Sequence, residues 1–346
     1  MGFLMVILLS FLYMSFGPKI VSAATFDVTS YGAIGDANKD DTELLGDITA
    51  PKSLDGWKGC DTKGYLMSFT LVHGLIIDGP GQIDGQGSIW WGGGDITDIT
   101  MLRFEKCDGL RLRGTQHINS PKSHVSISRC QGADLGNLRI SAPEHSPNTD
   151  GIDISWSSHI NIHDSVIESG DDCVAISGGT YDINVTGILC GPGHGISIGS
   201  LGKNGVYTTV EQVLVRDCNI TGTQNGVRIK TVPYGKGYAR SIVFEDINLI
   251  NVKNPIVIDQ HYCTNMESDD CPSPPTASSV KVSDVTYRNI HGSSASKKAI
   301  IFNCFSEFNC TEIVTNDVEI TGVNVYAFCQ NVQGDFIDTN PEITCN

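Results

Sequence analysis

Apolar residues recur in short alternating runs along most of this chain, and in its middle they recur at a fixed interval. The runs Asp150-Gly151-Ile152-Asp153-Ile154-Ser155, Asp172-Cys173-Val174-Ala175-Ile176-Ser177 and His194-Gly195-Ile196-Ser197-Ile198-Gly199 begin 22 residues apart. Alternation within each run predicts a short strand with one buried face. Repetition at this period predicts a solenoid in which each repeat stacks on its neighbour. Parallel strands stacked in this way lie ~4.8 Å apart, so Asp150, Asp172 and His194, each just ahead of its strand, are expected in one column. A fourth run, Val227-Arg228-Ile229-Lys230, starts 31 residues after Ile196. With its apolar residues inward, Arg228 and Lys230 point outward beside the acids.

The same rhythm predicts strands at Leu75–Ile77, Leu110–Leu112, Val125–Ile127 and Leu138–Ile140. It continues at Val213–Val215, Ile242–Phe244, Ile256–Ile258, Val280–Val282, Ile300–Phe302 and Val318–Ile320. Gly, Asn, Asp and Ser fill the corners between them, as tight turns require. No helical period of useful length follows residue 50. The fold class is therefore all-β, a right-handed parallel β-helix of roughly ten coils; a β-sandwich would lack the coil-length period. Ahead of the repeats, Phe26-Asp27-Val28 reads as a strand and Asp40-Asp41-Thr42 as a helix cap. Residues 46–64 read as irregular, and Asp269 to Pro275 as a loop between coils. Trp90 and Trp91 read as core or cap packing before sugar stacking.

Composition narrows the class. The chain has 346 residues, 40% hydrophobic and 18% charged, which suits a globular protein. A formal net charge of −16 argues against nucleic acid as a partner. The apolar run from Phe3 to Phe16, followed by the small residues Ser22, Ala23 and Ala24, reads as a secretory signal over residues 1–23. That leaves residues 24–346 as a single domain with no membrane attachment after cleavage. Twelve cysteines fit a secreted, oxidised protein. Cys304 with Cys310 and Cys329 with Cys345 would close short loops. Cys173 and Cys190, read as lying on neighbouring coils, would pin the loop before His194. The cysteine spacing does not suit zinc. Asn184, Asn219 and Asn309 each open an Asn-x-Thr glycosylation acceptor.

Four short signatures stand in order on the coil rhythm: Asn148-Thr149-Asp150, Gly170-Asp171-Asp172, Gly193-His194-Gly195 and Arg228-Ile229-Lys230. Through them the chain resembles the polygalacturonases, pectin-hydrolysing glycoside hydrolases. The longer runs Ser146 to Gly151, Cys190 to Gly202 and Thr223 to Thr231 look like the plant branch. The likeness covers residues 65–346 and Phe26 to Thr42. It fails between Leu44 and Ile48, so a shortened N-terminal cap is expected.

The resemblance implies a secreted, extracellular cell-wall enzyme that cleaves α-1,4 bonds between galacturonate units with inversion. It implies pectin or polygalacturonate as the partner, a monomer, and no cofactor or metal. It makes Asp171 the general acid, Asp150 and Asp172 the pair that activates water, and His194 their support. Arg228 and Lys230 would grip a uronate carboxylate, by fork and by point charge. Asn148 would touch sugar or simply form a turn; Tyr262 would lie near bound sugar or pack beside Cys263. Lys203 and Lys236 would extend a basic floor. Physical reasoning agrees in part: carboxylates packed together cannot all ionise cheaply, so one should hold a proton. Which one is not readable from the chain. A lyase on the same fold is a rival, opposed by the absence of its signatures. An inactive pectin-binding wall protein is another, supported by the short N-terminus and opposed by the three aspartates.

Overall fold

The computed structural model describes residues 46–57, 64–92, 99–263 and 279–346. The expected signal, the Phe26–Val28 strand, the Asp40–Thr42 cap and the Asp269–Pro275 loop lie outside these residues. Within them the chain is a right-handed parallel β-helix, with two sheets of sixteen and ten strands running along its length. Each run expected to be a strand lies within or overlaps one. Residues 46–64, expected to be irregular, instead include the strand Asp47–Thr49, which pairs with Gln82–Asp84, and a 3-10 turn at Leu54–Trp57.

The ten-stranded sheet shows why the chain winds this way. Its inward residues stack coil on coil as Leu102, Val125, Ile152, Val174, Ile196, Val227, Ile256 and Ile300. None of these is more than 1% exposed. A second column, from Phe104 through Ile127, Ile154, Ile176, Ile198, Ile229 and Ile258 to Phe302, is fully buried beside it. β-branched residues suit such columns because their side chains pack well on a pleated surface. Alternation then leaves the outward face of each strand free for polar chemistry.

Corners are fixed by a second kind of column. Asn137, Asp164, Gly187, Asp217, Asp246, Asn289 and Asp317 occupy one corner in register, all with φ between 49° and 65°. Glycine tolerates this left-handed region, and Asp and Asn enter it more readily than other residues. In the C-terminal coils the two strands flanking this corner merge into long bent strands, such as Lys236–Val252 and Ser279–Ser294.

All three candidate cysteine pairs form disulfides: Cys173–Cys190, Cys304–Cys310 and Cys329–Cys345. Cys173 and Cys190 lie on the first and last strands of one coil, not on neighbouring coils. Their bond ties the loop that carries His194 to the strand that carries Asp172. Trp90 is 7% exposed and meets Trp57 edge-to-face at 5.8 Å, so it packs. Trp91 Nε1 donates to the Ser120 carbonyl at 3.2 Å.

Candidate active site

The site forms on the outward face of the ten-stranded sheet and at the corner just before its strands. The expected column of Asp150, Asp172 and His194 is not what forms. Asp172 pairs with Gly195 and Val174 with Ile196, so the Asp172–Ile176 strand carries one extra residue. Such a bulge re-aims side chains. Here it places Asp171 against His194: His194 Nδ1 lies 2.8 Å from Asp171 Oδ1, and the His194 N–H donates to the Asp171 carbonyl at 2.8 Å. Glycines on both sides of the histidine make this approach possible. Gly193 (φ 136°) and Gly195 (φ 88°) have left-handed backbones, and a Cβ on Gly195 would lie 2.0 Å from the Asn225 carbonyl oxygen.

Asp172 is the anchor of the wall and is 1% exposed. Its Oδ1 accepts from Ser197 Oγ at 2.7 Å and from Arg228 Nη2 at 2.9 Å; its Oδ2 accepts from Lys230 Nζ at 2.9 Å. Arg228 Nε also donates to Ser197 Oγ at 3.0 Å. Arg228 and Lys230 do point to the outer side of their strand, but they are not a free cationic clamp, being 8% and 7% exposed. Buried carboxylates need paired charge, and these two cations supply it. Tyr262 lies over the same pair, its ring centroid 5.7 Å from Arg228 Cζ and 5.2 Å from Lys230 Nζ. Lys203 and Lys236 are exposed.

Asp150 is half-buried. Burial pushes its pKa well above the ordinary carboxylate value, and the charges of Asp153, Asp171 and Asp172 push it further, against Lys230. Burial likewise raises Asp171, but the hydrogen bond and charge of His194 outweigh it, with help from Lys230 and the Asp172 N–H, leaving Asp171 below the ordinary value. Between the two, Asp150 therefore holds its proton to higher pH than Asp171. Asn148 sits in an exposed left-handed turn with φ 53°, which favours its turn-forming role. The neighbouring Thr149 is fully buried, and its Oγ1 accepts from the Gly170 N–H at 3.0 Å, tying the Asp150 loop to the Asp171 loop.

Sequence reasoning missed three residues. Asp153 lies outward on Ile152–Ser155 and accepts from Ser123 Oγ. Ser197 holds both Asp172 and Arg228. His124, fully buried, fixes Asp150 from the preceding coil: its backbone N–H donates to the Asp150 carbonyl at 2.8 Å, and its Nδ1 lies 3.0 Å from the same oxygen. Strict alternation from Ile152 would have put Asp153 on the site face. Nothing in the sequence signals His124.

Asp171, Asp172 and His194 also bring one ligand atom each within 4.8 Å of one another, the one such acid–imidazole group among the described residues. Asp172 already meets two fixed cations, and these oppose a third positive charge.

The family model for glycosyl hydrolases family 28 matches residues 27–343. A protein named "probable polygalacturonase" from Arabidopsis thaliana is 46% identical over 309 residues, which cover 88% of this chain and 66% of that protein. A polygalacturonase of Persea americana is 39% identical over 288 residues, covering 81% of this chain and 61% of its own. The chain thus spans just under two thirds of these relatives. Among solved structures, a polygalacturonase from Erwinia carotovora superposes with a TM-score of 0.67 at 24% identity, over 84% of this chain and 82% of that one. Endopolygalacturonase I from Stereum purpureum, solved with two galacturonates, gives a TM-score of 0.60 at 20% identity over 88% and 94%. At such identities these structures speak to the fold alone.

Proposed function

The chain belongs to glycosyl hydrolase family 28, and from that premise we propose that it is a secreted polygalacturonase hydrolysing the α-1,4-galacturonosyl linkages of pectin with inversion. The observation that carries this reading is the pairing of a part-exposed Asp171–His194 couple with a buried, cation-held Asp172 on one wall, beside Asp150. Hydrolysis with inversion requires one carboxyl to protonate the leaving oxygen and another to take a proton from water on the opposite face. Asp171 serves as the acid, and Asp150 with Asp172 serves as the base pair. Arg228 and Lys230 set Asp172 and turn their remaining N–H groups to a uronate carboxylate, with Tyr262 alongside.

The charge state of the free site gives this scheme a requirement. The free site favours a proton on Asp150 over one on Asp171, and the scheme needs it on Asp171 when the bond breaks. Binding of a polyanionic substrate beside Asp171 supplies the driving force. It adds negative charge and excludes water, and both raise the pKa of Asp171. Once the proton is on Asp171, the ionised Asp150 serves with Asp172 as the base, and Lys230 is the cation that favours its charged form.

De-esterified polygalacturonate tests the reading directly. New reducing ends without ultraviolet absorbance from unsaturated products, lost in Asp171→Asn, are expected. Growing absorbance would mean elimination in place of hydrolysis, and neither signal from folded protein would mean an inactive binder.

A further inference from the structure

One corner of the coils is built unlike the Asp, Asn and Gly corner described above, and it borders the site. Leu71, Lys106, Arg129 and Trp156 each follow the last residue of a strand in the ten-stranded sheet. They stack in register: their N–H groups donate to the Glu105, Ser128, Ser155 and Gly178 carbonyls at 3.0, 2.9, 3.0 and 3.1 Å. All four have left-handed backbones, with φ between 52° and 59°. Gly, Asn and Asp enter this region readily, and other residues do not. A Trp there is an outlier, and a conformation kept at such a cost calls for a role.

The side chains show what this corner presents. Trp156 is 52% exposed. Its ring packs directly on Gly179 of the next coil, where a Cβ would lie 2.4 Å from ring carbon Cε3. Arg129 is 52% exposed, with Nη1 2.7 Å from Glu105 Oε1, and Arg103 Nη2 lies 2.8 Å from Oε2 of the same carboxylate. Lys106 is exposed. Three cations thus gather with one carboxylate, on a chain whose formal net charge is −16. The strand Ile152–Ser155 has four residues and spans about 13 Å. Asp150 stands ahead of it and Trp156 behind it, so this corner is the far rim of the floor beside the catalytic carboxyls. Coils rise ~4.8 Å each, so Trp156, Arg129 and Lys106 form a row about 10 Å long, running from the coil of Asp150 toward the N-terminal coils.

We propose that Trp156, Arg129 and Lys106 form an accessory binding rim for galacturonan, in which the indole packs on the C–H face of one sugar and the two cations pair with carboxylates of neighbouring units. The inference rests on the polygalacturonase reading and deepens it, by naming what holds the substrate chain away from the bond that breaks. The chemistry of the three residues fits this ligand. An exposed indole offers a broad, rigid apolar face at little cost in side-chain freedom. A guanidinium anchored through one nitrogen by Glu105 keeps its other N–H groups for a second carboxylate. A local excess of positive charge on an acidic protein draws a polyanion to that place and not to others. The three residues set affinity and register for a long chain; no bond forms or breaks at them.

The strained backbone allows binding to be separated from folding. Trp156→Asn suits a left-handed corner better than the native residue. On long polygalacturonate it is expected to raise KM about tenfold, with kcat within about twofold and Tm unchanged or raised. The loss should grow with chain length across a series of galacturonate oligomers. Arg129→Gln should weaken binding of de-esterified chains more than of methyl-esterified ones, whereas Trp156→Asn should weaken both. Retardation of the Asp171→Asn protein in gels holding polygalacturonate, with and without Trp156→Asn, reads binding in the absence of turnover. Unchanged KM and retardation in Trp156→Asn, a loss independent of chain length, or a Tm that falls in step with the rise in KM would overturn the inference. Wild-type protein that is retarded through Trp156 yet releases no reducing ends would instead sink the hydrolytic reading and leave the rim standing.

Discussion

Two groups of buried titratable side chains lie on successive coils, and burial has moved them in opposite directions. On the coils before the site, His117 and His124 are fully buried, and burial lowers their pKa values to about 3 and about 4. On the site face, burial raises Asp150 and Asp153. The cause is the same in both, since a low-dielectric setting disfavours whichever form is charged. The difference lies in the compensation. His117 is neutral, and among the described residues it is satisfied on one nitrogen only, by Thr115 Oγ1 at 2.8 Å. The acids are packed where Arg228, Lys230 and His194 can pair with some of them and not with others. One region uses neutrality to stay in the core; the other keeps charges apart by giving them unequal partners. Unequal partners are what acid–base chemistry needs.

The strongest break in the comparison is expected from Asp171→Asn. The substitution preserves shape and removes the carboxylate that His194 Nδ1 contacts, so the fold should hold while kcat falls about 1,000-fold, within the range for loss of general acid catalysis. Reducing-end assays with a matched thermal melt check it. Retained turnover would move the acid role to Asp150, which holds its proton to higher pH in the free site.

Next in size is Lys230→Ala. The resemblance alone predicts weaker binding of galacturonan. The structure adds a stability cost, because Asp172 Oδ2 loses its cation while staying buried. Breaking a buried pair from one side costs about 3 kcal/mol, and denaturant unfolding should register it together with a higher KM. A raised KM with unchanged stability would mean that Arg228 alone suffices for Asp172.

Much of this was legible in the chain. The solenoid follows from alternating Ile and Val at coil spacing, because parallel stacking leaves the inner columns few other residue types. Cys304–Cys310 and Cys329–Cys345 were legible because each closes a short loop; Cys173–Cys190 was read from neighbouring coils, whereas both lie on one coil. The contact of Asp171 with His194 was not, because counting 22 residues from Asp150 to Asp172 to His194 hides a one-residue bulge. That bulge is set by backbone hydrogen bonds to the next coil and leaves no local signature. The burial of Arg228 and Lys230 was hidden for a related reason. Alternation gives the direction of a side chain but not what lies above it, and here a carboxylate from two coils away does. His117 and His124 carry no local signal that the chain turns them into the core.

The two regions also make opposite demands on pH, and a third prediction separates them. His117 has a folded pKa below its unfolded one, so the unfolded chain binds more protons between about pH 3 and 6.5. Its contribution to stability is complete above 6.5 and is lost as pH falls. Asp153 has a folded pKa near 6, above its unfolded value, so its contribution is complete below about pH 4 and is lost as pH rises through 6. Between these limits the slopes oppose one another. His117→Leu should therefore change sign with pH. Near neutrality it leaves Thr115 Oγ1 without its partner and costs about 1 kcal/mol. At pH ~4.5 it removes a penalty of about 3 kcal/mol and stabilises the protein. Denaturant unfolding at the two pH values reads both, and a variant less stable at both would mean that His117 is not held neutral.

The smallest effect bears on where the proton sits. The pH dependence of kcat/KM reports the free enzyme and that of kcat the substrate complex. Asp171 is held low by His194 in the free site, and bound uronate should raise it. The alkaline limb, where the acid loses its proton, is therefore expected at higher pH in kcat than in kcat/KM, by roughly one unit. The pair titrates jointly, so each limb belongs to the cluster and not to one residue. His194→Ala makes the assignment specific: without the imidazole, Asp171 is already raised in the free site, and the gap between the two limbs should close. A gap that survives the loss of His194 would place its origin in Asp150 and its neighbours Asp153 and Lys230.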